Sequence, residues 1–143
     1  MEDRSKRGAD GVGERVTSEH RRLDALFHRT RAAFGAPSGQ RDAVEAFDRL
    51  REAVDGHLAQ EDTLYYPPLG ALCPRYKDAL QALGGAHDAF RHRLAEIGAH
   101  VVGGALASAL AAFDAFRDEF GEHERREERL LAEIERGLSD RGR

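Results

Sequence analysis

Apolar residues recur at alternating steps of three and four through four stretches of this chain. That spacing lines one face of a helix. The first stretch carries Val16, Leu23, Phe27 and Phe34, and the second carries Ala43, Phe47, Leu50, Val54 and Leu64. The third carries Tyr76, Leu80, Leu83, Phe90, Leu94, Ile97 and Val101. The fourth runs from Leu106 through Ala109, Phe113, Phe116 and Phe120 to Leu130 and Ile134. Breakers divide them: the run from Gly35 to Gly39, then Pro67-Pro68, then Gly103-Gly104, with Gly137 closing the last. A short connector, Leu69 to Cys73, precedes Pro74, a residue favoured at a helix's first position. Neither strict alternation nor β-branched enrichment marks a strand. The pattern predicts helices near 14–34, 41–66, 74–102 and 105–136. Four such helices joined by short loops predict an all-α fold, an antiparallel up-down-up-down four-helix bundle over residues 14–137. Residues 1–13, polar and glycine-rich, read as a flexible tail, and residues 138–143 as a second one.

Polar residues interrupt these seams at seven places: His20, Thr30, His57, Glu61, His87, His123 and Glu127. Each seam carries one histidine. Two carry a glutamate four residues later, which puts His57 with Glu61, and His123 with Glu127, on one helix face. A carboxylate in an apolar core is costly unless it is paired or binds a metal. At ~1.5 Å per residue the four histidines also fall in the same half of the bundle. The seam therefore points to a metal site built from His20, His57, Glu61, His87, His123 and Glu127.

The spacing alone would not select them, because His92 and Glu96 are also four apart. His92 and Glu96 lie beside the Phe90/Leu94/Ile97 stripe and are expected to face water. His28 and His100 are also off their stripes. Asp24 flanks the first seam and reads as a solvated carboxylate rather than a support for a ligand. Thr30 can bond back to its own helix and is assigned no function. Gly84-Gly85, inside the third stripe, reads as a kink or a close-packing point.

Composition excludes several classes of function. Lys plus Arg is 22 and Asp plus Glu is 26, a net charge of −4, whereas a general nucleic-acid binder needs a basic surface. No stretch approaches the roughly 18 apolar residues of a membrane span. The N-terminal sequence has no apolar core of a secretory signal. Cys73 is the single cysteine, so an internal disulfide and a cysteine-built metal site are excluded, and a lone thiol fits the cytoplasm. No Ser-His-Asp or Cys-His arrangement and no phosphate-binding loop is evident, so no catalytic side chain is assigned beyond the metal ligands.

The combined pattern resembles the hemerythrin-like, or HHE cation-binding, domain family. The residues that carry the resemblance are His20, His57-x-x-x-Glu61, His87 and His123-x-x-x-Glu127, with Glu19-His20-Arg21 and the HLAQEDTLYYP run as flanks. It spans about residues 14–137. The resemblance implies two non-haem iron ions inside the bundle, bridged by both glutamates and an oxo or hydroxo group, with two histidines completing each iron. Oxygen-carrying hemerythrins have two histidines four apart on the third helix, where Leu83 and Arg91 flank His87 here. Their last helix carries His-x-x-x-x-Asp rather than His123-x-x-x-Glu127. The match is closer to the bacterial four-histidine, two-glutamate members, which are associated with nitric oxide, peroxide and iron-centre chemistry.

Ligand count leaves roughly one open position on each octahedral metal for O₂, NO, peroxide or water. Imidazole and carboxylate donors suit an iron–manganese pair as well as two irons. The expected function is therefore di-iron chemistry on a small oxidant: stress protection or iron-centre chemistry. Non-catalytic binding, sensing or storage of O₂, NO or iron is the alternative, and a metal-free helical interaction module the third. The partner implied is a small diatomic or peroxide ligand, with no nucleic acid and no membrane. No electron-donor site is legible. Tyr65, one turn after Glu61, reads as a packed tyrosine with its hydroxyl in water, the alternative being a bond to a metal-bound ligand. Arg91 reads as solvated, the alternative being a place at the rim of the site.

Overall fold

The computed structural model describes residues 11–36 and 39–141. Four helical runs make the fold, and no strand occurs among the described residues. The first run is α1 (Val12–Phe34). The second is α2 (Gln40–Gln60), a π-helical turn (Glu61–Tyr65) and α3 (Tyr66–Leu72). The third is a 3₁₀ turn (Pro74–Tyr76), α4 (Lys77–Gly85) and α5 (His87–Val102). The fourth is α6 (Leu106–Arg141). α1 packs on α2 and α6, and α5 packs on the same two, so the runs close a ring around one interior.

The seams face that interior. The predicted positions of α1, Val16, His20, Leu23, Phe27, Thr30 and Phe34, are all buried. Thr30 donates to the Leu26 carbonyl at 2.8 Å, as expected. The apolar side chains divide into two clusters. One holds Leu23, Phe27, Phe34, Val54, Leu58, Phe90, Leu94, Phe113 and Phe120 among others. The second holds Val12, Val16, Tyr66, Leu69, Leu80, Leu83, Leu131, Ile134 and Leu138. The histidine positions fall between them on every run: His20 between Val16 and Leu23, His57 between Val54 and Tyr66, His87 between Leu83 and Phe90, His123 between Phe120 and Leu131. A polar layer is thus sealed between two apolar plugs. Phe113 anchors the larger plug, with no exposed surface and rings of Phe27 and Phe34 at 5.6 and 5.3 Å. Phe113→Ala is expected to cost about 3–5 kcal/mol of stability in a urea titration.

Several boundaries differ from the pattern. Pro67-Pro68 does not end the second run, because both prolines sit in the first turn of α3, where their missing N–H groups are not needed. The π turn before them holds one extra residue, with the Tyr66 N–H bonding the Glu61 carbonyl. It rotates the following stripe, so Leu64 is 62% exposed and Tyr66 turns inward in its place. Leu130 is only partly buried, and Leu131 fills the core position expected of it. Gly137 does not stop α6: a mid-helix glycine costs about 1 kcal/mol, and buried Leu138 beyond it outweighs that. α1 likewise starts at Val12, two residues before Glu14, because Val12 is buried in the second cluster. Apart from Gly11, the rest of the tail expected at 1–13 lies outside the described residues. Of the tail expected at 138–143, residues 138–141 continue α6, and Gly142 and Arg143 lie outside the described residues, as do the loop residues Pro37 and Ser38. Gly84-Gly85 is a kink: the helix breaks at Ala86, between α4 and α5. Gly39 and Gly104 have φ of 89° and 77°, the left-handed region that a tight inter-helix turn reaches most cheaply with glycine.

Candidate metal centre

All six residues picked from the seams are buried, with Glu61, His87 and Glu127 at zero exposure. The structure brings them together in two groups. One ligand atom from each of His20, His57, Glu61 and Glu127 lies within 4.8 Å of the others, and so do atoms of Glu61, His87 and His123. Glu61 belongs to both. Its Oε2 is 3.3 Å from His57 Nε2, and its Oε1 is 3.3 Å from His87 Nε2. The histidines pair off as His20 with His57 and His87 with His123, ring centroids 5.1 and 5.4 Å apart.

The donor atoms are orphaned. His20 Nε2, His87 Nε2, His123 Nε2, both oxygens of Glu61 and Oε1 of Glu127 are buried without a hydrogen-bond partner. His20 Nε2 and Glu127 Oε1 are only 2.8 Å apart, but their orientation is not that of a hydrogen bond. Buried polar atoms are normally satisfied, and several left open toward one point indicate an ion site. Imidazole nitrogen and carboxylate oxygen are the donors that iron and manganese take. The residues present therefore fit a metal pair.

The opposite ring nitrogens are held from outside. His57 Nδ1 donates to Glu19 Oε2 at 2.5 Å, His87 Nδ1 to Asp62 Oδ1 at 2.8 Å, and His20 Nδ1 to Glu128 Oε1 at 2.9 Å. These bonds turn the Nε2 lone pairs toward the interior and fix the tautomer a metal requires. Asp62 is itself gripped by Arg91, whose Nη2 lies 2.9 Å from Oδ2. Arg91 thus sits at the rim and is not simply solvated. Asp62→Asn is expected to weaken metal retention by about 10–100-fold in a chelator competition.

Tyr66 is the tyrosine that reaches the site: its hydroxyl donates to Glu127 Oε2. Tyr65, the one singled out in the sequence, donates to Glu19 Oε1 at 3.2 Å, one link behind His57. The extra residue of the π turn makes this exchange. Glu124 was also not anticipated. Its buried Oε2 has no hydrogen-bond partner and lies 3.5 Å from His20 Nε2.

The charges follow from these contacts. Burial acts against the Glu61 carboxylate, but the His57 and His87 imidazoles, each 3.3 Å from one of its oxygens, outweigh it and hold its pKa at about 2. Burial lowers the His57 imidazole, and Glu61 and Glu19 more than compensate, so its pKa is raised. Burial pushes His123 down to about 4, which keeps its nitrogen free as a donor to a metal. Burial raises Glu124 to about 7. Burial, then the charge of Glu61, pushes the Tyr66 phenol above its ordinary range, so it is a neutral hydrogen-bond donor.

The other acid–histidine pairs stay outside. His28, His92 and His100 are exposed, as is Glu96. Asp24 is exposed and pairs with Arg117 at 3.1 Å. Glu19, Asp62 and Glu128 were missed, although a signal was present: each directly precedes or follows a seam ligand candidate, namely His20, Glu61 or Glu127.

An all-helical bundle with a buried His/Glu cluster at mid-height defines a class of metal-binding helical domain. The chain belongs to the hemerythrin HHE cation-binding domain family, whose model matches residues 12–134. Comparison with curated proteins and with solved structures gave no significant match. No helix among the described residues is long and apolar enough to cross a membrane.

Proposed function

We propose that this domain holds two iron ions and acts on a small oxidant, hydrogen peroxide or nitric oxide, in protection against oxidative or nitrosative stress. The observation that carries this reading is Glu61, fully buried and charged, with one oxygen toward each histidine pair. His20, His57 and Glu127 would hold one metal and His87 with His123 the other, with Glu61 shared between the two groups. Two adjacent irons held there would supply a two-electron step for such an oxidant, each changing by one electron. The chain's own residues orient the imidazoles through Glu19, Asp62 and Glu128 and keep bulk water out with the apolar plugs. Glu127 keeps Oε1 toward His20 while Tyr66 occupies Oε2, so a second bridge through Glu127 requires that bond to yield. The four runs alternate in direction, a reading supported by the way each passes from one apolar cluster to the other in turn. We assign the protein to the cytoplasm, which its one buried, unpaired cysteine suits.

The absence of a second histidine on the third run, where Leu83 of α4 and Arg91 of α5 stand, favours reaction over reversible oxygen carriage. Each metal would have two histidines, which would leave neither capped. Metal analysis is expected to give two irons per chain. In stopped-flow mixing, the reduced protein should react with peroxide or NO faster than it forms any lasting O₂ adduct. A stable, reversible O₂ adduct without consumption of peroxide or NO would favour the carrier or sensor reading instead.

A further inference from the structure

A groove of about 620 Å³ lies beside the centre, outside α3 and α4. Most of its wall is small or apolar, including Tyr66, Gly70, Ala71, Leu80 and Gly84, and its charges are one acid, Asp62, and one base, Lys77. Tyr66 belongs to both places. Its ring lines the groove, lies 5.8 Å from the His87 ring, and carries the hydroxyl bonded to Glu127. The Tyr66 side chain therefore reaches from the groove to the buried donor atoms, beside Asp62, which also lines the groove and holds His87 Nδ1. It stands directly after the π turn, a helical irregularity that recurs at functional sites. Gly84 lines the groove where a Cβ would meet both the Tyr66 ring and Asp62 Oδ1 at 3.7 Å.

A second groove of about 840 Å³ reaches His20 from the other side, but its character is opposite. It is walled by Arg21, Asp24, Arg117, Glu122, Glu124 and Glu128 among others. An uncharged diatomic molecule gains nothing from fixed charges and partitions into apolar space. We propose that the Tyr66 groove is the holding site and way in for uncharged diatomic molecules such as NO and O₂, with the Tyr66 ring as its inner gate. This rests on the metal reading above. The charged groove serves ions and water.

The test plugs each groove. Gln81→Trp and Ala71→Trp fill the Tyr66 groove; both residues are exposed, so their replacement does not disturb the core. Gly121→Trp fills the charged groove. With the iron-loaded, reduced protein, NO association measured by stopped flow should slow about tenfold in the first two variants and stay unchanged in the third. Metal content should be equal in all. Xenon under pressure should appear in the groove beside Tyr66 in the wild type and vanish in Ala71→Trp. Full metal content with wild-type NO association in both plugged variants overturns the route, as does slowing by Gly121→Trp alone. Metal below one per chain in the wild type overturns the metal reading and the route with it.

Discussion

Glu61→Leu is expected to empty the centre while leaving the bundle folded. Glu61 is the one residue shared by both donor groups, so its loss removes an oxygen from each metal at once. The variant should purify with essentially no iron and without the visible absorption of the loaded protein. Folding should survive, because His57 and His87 keep their outside bonds to Glu19 and Asp62. The imidazoles left behind can shed their protons, so no uncompensated buried charge remains to unfold the bundle. The metal-free variant should therefore match the metal-free parent in helix content by circular dichroism. Retention of two irons would refute the bridging role. Glu96→Leu is the control, since Glu96 is exposed and its loss should leave metal content intact.

Tyr66→Phe is expected to act in opposite ways on the two forms of the protein. Without metal, removal of the hydroxyl leaves Glu127 Oε2 buried and without its donor. Stranding a buried acceptor costs about 1–3 kcal/mol, more when it is charged. The metal-free variant should unfold at clearly lower urea than the metal-free parent. In the loaded protein the freed oxygen can turn to a metal, so much of that loss should disappear. The absorption spectrum should shift as the carboxylate changes its binding. Equal losses in both forms would mean that Tyr66 matters only for packing.

The burial of the six candidate ligands was legible because helical periodicity and burial are tied by geometry. A residue on an apolar seam is carried inward by its neighbours, so His20, His57, His87 and His123 face the interior whatever their own polarity. The same logic separated His92 and Glu96, which have the right spacing on the wrong face. The four helical runs followed from the stripes and from the glycines between them. The family resemblance rested on the same residues.

The sequence could not place what depends on a neighbouring helix. Glu19 supports a histidine of α2, Asp62 one of α5, and Glu128 one of α1. Each lies beside its own seam, where one sequence reads only a solvated acid. Arg91 is held at the rim by Asp62, a contact between residues 29 apart. The π turn is the clearest case. A straight helix through Pro67-Pro68 is forbidden locally, and the pattern therefore ended it there. One extra residue in the turn satisfies the backbone, carries the prolines into a new first turn, and replaces Leu64 and Tyr65 by Tyr66 on the inward face. Periodicity fixes which face of a helix is buried as long as the helix is regular. Where an inserted residue shifts that face, only packing against α4 and α6 decides which side chain reaches the centre.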